Sequence, residues 1–340
     1  MADSTPLPGT DEWLAQVVEA PVDANRPIVD PHHHLWPPDG PLPYGIDELV
    51  ADTSSGHNVV QTIFMECSAG YRPDGPEHLR PIGETEFVAA SADALAQRYP
   101  EAPAIAAIVG HADLTHGALD EILDAHVEAS GGRFRGIRDA LARSIEPEAH
   151  MIPAEYAEGK WSDAAFQAGV ARLGARDFTY DSWHFHYQNA EFAGLARAVP
   201  DTLMVLDHFG TPVGVGQFAG RHDDYFDQWK ADISDIAANE NTVAKIGGLA
   251  MPDNGFGFHE AAMPATSDDI VAAHGKWYEH MIECFTPQRC MFESNFPVDR
   301  FSMSYGVYWN AMQKIAASFS DAEQDAMFAG TARRVYRLSR

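Results

Sequence analysis

The sequence predicts an α/β fold, a (β/α)8 TIM barrel with its active site at the carboxyl-terminal mouth of the strands. Eight short apolar, β-branched runs alternate with Ala-rich helical stretches along the 340 residues, and eight is the strand count of such a barrel. The runs are apolar on both faces, as strands of a buried parallel sheet are. A doubly wound sheet would alternate in the same way. Polar residues at the ends of the runs favour the barrel, because its strand ends converge on one mouth.

The predicted elements follow one another along the chain, and Pro or Gly ends several of the helices. The predicted strands are residues 27–34, 58–68, 104–114, 133–141, 177–186, 202–210, 241–250 and 290–299, and helical stretches between them include 83–100, 163–175, 191–200 and 225–240. Segments 142–162 and 251–276 follow the fourth and seventh strands, so we expect both to lie over the mouth as loops. Residues 1–25 indicate an N-terminal arm with one short helix, before a single barrel domain over 26–340.

The composition narrows the range of partners. The net charge of −27 opposes contact with phosphate backbones and anionic lipids, so we expect no nucleic-acid partner and no membrane partner. The N-terminus lacks the basic start and apolar core of a secretory signal. The three cysteines form no CxxC pair, which is typical of a reducing cytoplasm. We therefore expect a cytoplasmic protein that acts on a small-molecule substrate, and the sequence leaves open whether it forms a homo-oligomer.

The stretch "VDPHHHLW" places three histidines at the end of the first predicted strand. Side chains at i and i+2 of a strand share a face, so Asp30, His32 and His34 point one way and His33 points the other. Two neutral imidazoles at one strand end can hold one divalent metal ion, or clamp a carbonyl or carboxylate. A chance run of histidines on a polar loop is the alternative. A second strand end with a histidine, His208 in "VLDHFG", weighs against it.

Other polar side chains stand at the ends of the second and fourth strands, namely Glu66 and Arg138. A guanidinium matches a carboxylate in two parallel hydrogen bonds. Together with Tyr71, which lies in the loop after the second strand, Arg138 indicates a pocket for an anionic or hydroxylated substrate. Trp36 could supply an apolar wall beside it. The alternatives are an ion pair between Arg138 and an acidic loop, and aromatic side chains that only pack.

Four motifs, taken in order and spacing, resemble one known family. "VDPHHHLW" matches the opening D-x-H-x-H-x-W of amidohydrolase family 2, within the amidohydrolase superfamily, and "VLDHFGTP" resembles its D-H-x-G motif after strand 6. "VAKIGGLA" is similar to the family's strand 7, and "MFESNFPVD" to its G-S-D-x-P motif at strand 8. The resemblance runs from about residue 13 to the C-terminus. It is strongest to the lactonase-type branch, which includes pyrone-dicarboxylate hydrolases and sugar-acid lactonases.

The resemblance implies a metal site and a catalytic histidine at specific positions. It assigns His32 and His34 to the family's metal ligands, and His208 to its strand 6 histidine. The strand 5 histidine has no motif to identify it, so His184 and His186 are both candidates, and we expect His184 because it lies nearer the strand end. The implied cofactor is one divalent metal, preferably Zn²⁺, although a metal-free site stays open.

One position departs from the family pattern. The strand 8 aspartate, which serves the family as metal ligand or general base, is replaced by Asn295, and an amide cannot take a proton from water. Candidate replacements are Asp299, Glu66 and Glu293. For Glu293 we favour a deep structural ion pair, for instance with Lys245 or Arg138.

The sequence therefore predicts a hydrolase that acts on a lactone or a similar ester-like C–O bond. Water attack would be assisted by the histidine and metal site, with His208, Asn295, Glu66 and Asp299 as catalytic candidates. One alternative is a non-oxidative decarboxylase of a small aromatic or unsaturated acid, in which Arg138 orients the carboxylate. Another is a barrel without catalytic activity, because the strand 8 aspartate is missing.

Overall fold

The computed structural model describes residues 6–156 and 158–339. Eight parallel strands form one sheet, and each strand pairs with the next in chain order. The strands are β1 (Ile28–His33), β2 (Val59–Met65), β3 (Ala104–Gly110), β4 (Phe134–Arg138), β5 (Thr179–Ser182), β6 (Met204–Leu206), β7 (Thr242–Ile246) and β8 (Cys290–Phe292). All eight lie within the predicted runs. The predicted (β/α)8 barrel is confirmed.

The barrel closes where the segment after β8 meets β1. The backbone N–H of Asn295 donates to the carbonyl of His32 at 3.0 Å, and that of His34 donates to the carbonyl of Phe296 at 2.9 Å. The hydroxyl of Ser294 donates to the carboxylate of Asp30 at 2.6 Å. Closure therefore brings the histidines after β1 beside the residues that follow β8.

Helices cover the outside of the barrel between the strands. They are α1 (Asp11–Leu14), α2 (Ile46–Thr53), α3 (Ile82–Arg98), α4 (Leu119–Ala129), α5 (Ala164–Gly174), α6 (Asn189–Ala198), α7 (His222–Ala237), α8 (Ser267–Phe285), α9 (Tyr305–Ala316), α10 (Asp321–Asp325) and α11 (Thr331–Val335). The prediction of a loop over 251–276 was wrong at its end. Thr266 and Asp269 cap each other's backbone N–H groups, and this capping box starts α8 at Ser267. Among the described residues, the structure has no helix that is long and apolar enough to cross a membrane.

The lower half of the barrel interior contains an apolar core. Side chains from six strands, among them Val29, Met65 and Val243, pack there against Val335 and Tyr336 near the C-terminus. All five are buried. The C-terminal segment therefore closes the end of the barrel opposite the mouth, which leaves the carboxyl ends of the strands as the accessible side.

The long segment after β4 forms a flap over the mouth, which we call the β4 flap (residues 142–156). Its two arms are joined where the backbone N–H of Ser144 donates to the carbonyl of Ala154 at 2.7 Å. The carboxylate of Asp253, in the loop after β7, accepts from the backbone N–H groups of Met151 at 2.6 Å and Ile152 at 3.0 Å. Two long loops thus hold each other in place above the strand ends.

Candidate active site

A cavity of about 570 Å³ opens at the carboxyl ends of the strands, beneath the β4 flap. Five polar side chains at the strand ends form what we call the polar floor: His34, Glu66, Arg138, His208 and Asn295. Each is nearly inaccessible to solvent. The structure therefore brings together five side chains that the sequence singled out, from five different strand ends.

His32 and His34 share one face and approach each other, as the strand parity predicts. Their Nε2 atoms lie 3.3 Å apart. The Nδ1 of His34 lies 2.8 Å from the carbonyl oxygen of Met65, which can only accept, so this Nδ1 carries the proton. Burial lowers the pKa of both histidines well below the ordinary value. The charge of Arg138 adds to the shift of both, and that of Lys245 adds to the shift of His32. Both imidazoles are therefore neutral, and His34 keeps a lone pair on Nε2.

Glu293 joins two histidines from opposite sides of the barrel. One of its carboxylate oxygens lies 2.8 Å from Nδ1 of His32, and the other lies 2.7 Å from Nδ1 of His208. Burial alone would lower the pKa of His208, but the Glu293 carboxylate outweighs burial and raises it above the ordinary value. The sequence-based expectation that Glu293 pairs with Lys245 or Arg138 was wrong. The carboxylate instead holds the protons of both Nδ1 atoms, so both Nε2 atoms present lone pairs.

Arg138 is already neutralised by acidic neighbours. Its Nε donates to the carboxylate of Glu66 at 2.7 Å, and its Nη1 lies 3.4 Å from the carboxylate of Asp207. Asp207 also pairs with the buried Lys245 at 3.2 Å, and Lys245 pairs with Asp181 at 3.0 Å. The sequence left open an ion pair between Arg138 and an acidic loop. Arg138 is indeed ion-paired, but its partners are Glu66 and Asp207 at the ends of β2 and β6.

The donor set fits one divalent cation. Ligating atoms of His32, Asp207 and His208 all lie within 4.8 Å of one another. The 3.3 Å between the Nε2 atoms of His32 and His34 is also about the separation of two nitrogens bound to one tetrahedral zinc at 2.0–2.1 Å. Outer hydrogen bonds from each Nδ1 to a carboxylate or carbonyl are the usual support of metal-bound imidazoles. Asp207 fits less well than the histidines, because two cationic side chains already pair with it.

Asn295 and Asp299 form a separate polar pair. The side-chain amide of Asn295 donates to Asp299 at 2.9 Å, and the second carboxylate oxygen of Asp299 accepts from the backbone N–H of Ala250 at 3.3 Å. Burial raises the pKa of Asp299 to about 7. Asn295 lines the cavity, whereas Asp299 lies behind it and does not. The two residues are thus held together, and only the amide faces the site.

Two other predicted residues, His184 and Tyr71, lie outside the cavity. Both ring nitrogens of His184 have protein partners, the hydroxyl of Ser182 at 2.9 Å and the side chain of Asn189 at 3.0 Å, so the structure does not place His184 at the metal site. Tyr71 stacks on His111 at 6.5 Å between ring centroids and does not line the cavity. Trp36, by contrast, does line it.

His33 points away from the site, as the strand parity predicts. Its ring packs edge-on against Phe64, with 6.1 Å between ring centroids. Sequence reasoning did not single out Asp207, although Asp207 is the first residue of the quoted D-H-x-G motif. The match to this motif could have identified Asp207 as a candidate site residue.

The comparisons with known proteins agree with this geometry. A family model with the description amidohydrolase matches residues 29–338. The chain belongs to the amidohydrolase family. The resemblance found in the four sequence motifs is therefore confirmed, and with it the hydrolase class of the enzyme.

Two curated relatives and one solved structure resemble this amidohydrolase. The uncharacterized protein y4mH of Sinorhizobium fredii is 30% identical over 92% of this chain and 98% of its own length. An L-fucono-1,5-lactonase of Burkholderia multivorans is 31% identical over 69% of this chain and 72% of its own length. An amidohydrolase from Burkholderia multivorans, solved with bound zinc, superposes with a TM-score of 0.71 at 25% identity, over 92% of this chain and 99% of that one. These relatives confirm the lactonase-type branch.

Proposed function

We propose that this amidohydrolase hydrolyses a lactone or a similar ester C–O bond, with His208 as the general base. The observation that carries the proposal is the Glu293 carboxylate between Nδ1 of His32 and Nδ1 of His208. Glu293 keeps the proton of His208 on Nδ1, so the lone pair lies on Nε2 at the edge of the cavity. A base whose tautomer is held by a buried carboxylate follows the logic of the hydrolytic triad.

The proton transfers balance within the site. As a water oxygen attacks the carbonyl carbon, Nε2 of His208 takes a proton from that water, and Glu293 stabilises the resulting imidazolium. The imidazolium then gives the proton to the ring oxygen of the lactone as the C–O bond breaks. The product is a hydroxy acid. Asn295 cannot accept this proton, but its amide oxygen can hold the water by a hydrogen bond.

Charge that develops on the carbonyl oxygen would lie near one guanidinium, that of Arg138, whose own charge is offset by Glu66 and Asp207. Arg138 lines the cavity, and its guanidinium lies 3.4 Å from Nε2 of His32. A divalent cation, preferably Zn²⁺, would be held by His32 and His34 and would polarise the carbonyl oxygen. Glu66 keeps Arg138 in position through the 2.7 Å hydrogen bond. Because Arg138 is occupied by acidic partners, the structure does not favour the decarboxylase alternative, in which it would orient a carboxylate.

Metal analysis combined with a lactone hydrolysis panel tests the proposal. We expect about one divalent cation per chain and acid release from at least one lactone, with no CO₂ from aromatic or unsaturated acids. The double variant His32→Ala/His34→Ala should lose both the metal and the hydrolysis. The matched control is His78→Ala/His116→Ala, which removes two histidines that stack on each other at 4.5 Å away from the cavity. Release of CO₂, or no hydrolysis of any lactone by the unaltered chain, contradicts the proposal.

A further inference from the structure

Above the polar floor, the cavity is bounded by an apolar wall. The wall consists of side chains from the loops after β1, β4, β7 and β8: Trp36, Leu42, Ile152, Met251, Val298 and Phe301. These loops extend beyond the strand ends that carry the polar floor. A substrate whose reacting bond lies beside His208 therefore places the rest of its surface against this wall.

The apolar wall is pre-formed by backbone contacts. The N–H of Trp36 donates to the carbonyl of Tyr44 at 2.9 Å, and the N–H of Val298 donates to the carbonyl of Asn295 at 2.9 Å. The backbone N–H of Ile152 donates to the side-chain carboxylate of Asp253 at 3.0 Å. A wall that is already ordered binds an apolar group without the entropic cost of arranging loops around it.

The charges that line the cavity oppose an anionic substrate. In the described ranges 6–156 and 158–339, Arg138 is the only lysine or arginine that lines the cavity, and Glu66 and Asp207 already pair with it. The carboxylates of Glu66 and Glu155 line the cavity as well. A substrate carboxylate would find no unpaired lysine or arginine there and would be repelled by the Glu155 carboxylate.

We propose that the substrate is a neutral lactone with an apolar substituent, the lactone ring over the polar floor and the substituent against the apolar wall. This inference rests on the proposed hydrolase function and specifies its substrate class. It replaces the anionic or hydroxylated substrate that the sequence indicated. Of the six wall side chains only Trp36 carries an N–H, so hydroxyl groups placed against this wall would lose hydrogen bonds to water. The polar side chains of Ser68, Tyr156 and Trp183 line the cavity outside the wall. The cavity of about 570 Å³ lies within the usual range of about 300–1,000 Å³ for small-molecule sites.

A series of γ-lactones that differ only in the substituent tests this substrate class. The series contains the bare ring, 4-alkyl chains of one to six carbons, a 4-carboxylate and a polyhydroxylated sugar-acid lactone. We expect kcat/KM to rise by up to about fourfold for each added methylene until the wall is filled. The carboxylated and polyhydroxylated lactones should be at least tenfold poorer substrates than the best alkyl lactone.

A matched pair of variants locates the effect in the apolar wall. Leu42→Asn places an amide in the wall and should flatten the dependence of kcat/KM on chain length. Val127→Asn makes the same kind of change on α4, where Val127 is 44% exposed and remote from the cavity, and should leave the dependence unchanged. A flat series in the unaltered chain, or a preference for the carboxylated or polyhydroxylated lactone, overturns the substrate class and leaves the lactonase function standing. If the enzyme hydrolyses none of the lactones, the proposed function is overturned, and the proposed substrate class is overturned as well.

Discussion

Glu293 and Asp299 are two buried carboxylates on the same segment after β8, yet their surroundings differ. Both are almost completely inaccessible to solvent. Glu293 lies between the imidazoles of His32 and His208, whereas Asp299 accepts from the amide of Asn295 and from a backbone N–H. One carboxylate contacts groups that can move protons, and the other contacts groups that cannot.

A carboxylate at a strand end is therefore not a base by position alone, because its contacts decide whether it can take part in proton transfer. In the family pattern the aspartate stands where this chain has Asn295, two residues after Glu293. Here the amide of Asn295 donates a hydrogen bond to Asp299. The carboxylate of Glu293, two residues earlier, accepts from Nδ1 of His208. Proton transfer can therefore remain beside the end of β8, because His208, which follows β6, supplies the basic atom and Glu293 holds its tautomer.

The largest expected effect comes from Glu293→Gln. The amide would no longer hold the proton of His208 on Nδ1, so the base would present the wrong tautomer, and kcat should fall by about 10³- to 10⁴-fold. Asp299→Asn removes the other carboxylate of the segment and should change kcat by less than about tenfold. Steady-state kinetics measure both values, and circular dichroism checks that each variant is folded. If Asp299→Asn were the more damaging change, our assignment of the base would be reversed.

An intermediate effect is expected from Asn295→Asp, which restores the family residue. Its carboxylate would lie 2.9 Å from that of Asp299, where the amide now donates, and two buried acceptors in contact should cost about 1–3 kcal/mol of unfolding free energy. The double variant Asn295→Asp/Asp299→Asn restores a donor and an acceptor and should recover most of the loss. Urea unfolding of the four proteins in this cycle measures the coupling. A single Asn295→Asp variant that is fully stable and hydrolyses faster would show instead that Asn295 replaces a lost base.

The smallest expected effect is that of His33→Leu. His33 is fully buried against Phe64. Its ring makes one weak polar contact with the described residues, to the carbonyl of His34 at 3.4 Å, so an apolar side chain of similar volume should cost less than about 1.5 kcal/mol. Metal content and kcat/KM should stay near those of the unaltered protein. The matched change His34→Leu should remove the metal. Loss of metal from His33→Leu would mean that the strand faces are assigned incorrectly.

Short-range patterns account for what could be predicted from the sequence. The two-residue period of a strand separates His32 and His34 from His33, and it needs no knowledge of the rest of the fold. Alternation of apolar runs and helical stretches likewise predicts the eight strands, although several observed strands are shorter than their runs. The run over 202–210, for example, contains only the strand Met204–Leu206. The N–H of Asp207 still donates to the carbonyl of Ser182 at 3.1 Å, and the backbone then turns at His208, where φ is 52°.

Tertiary structure alone decided which of the polar residues act together. The sequence offers Glu293 several partners of suitable charge, and only barrel closure, which brings the end of β8 beside β1, selects His32 and His208. The same closure neutralises Arg138 with Glu66 and Asp207 and assembles the apolar wall from four separate loops. Local sequence determined the strands, the faces and the family of this protein. Contacts between distant parts of the chain determined which residue is the base and which side chains line the cavity. These contacts depend on how the strands and loops pack together, so the local sequence around each residue does not reveal them.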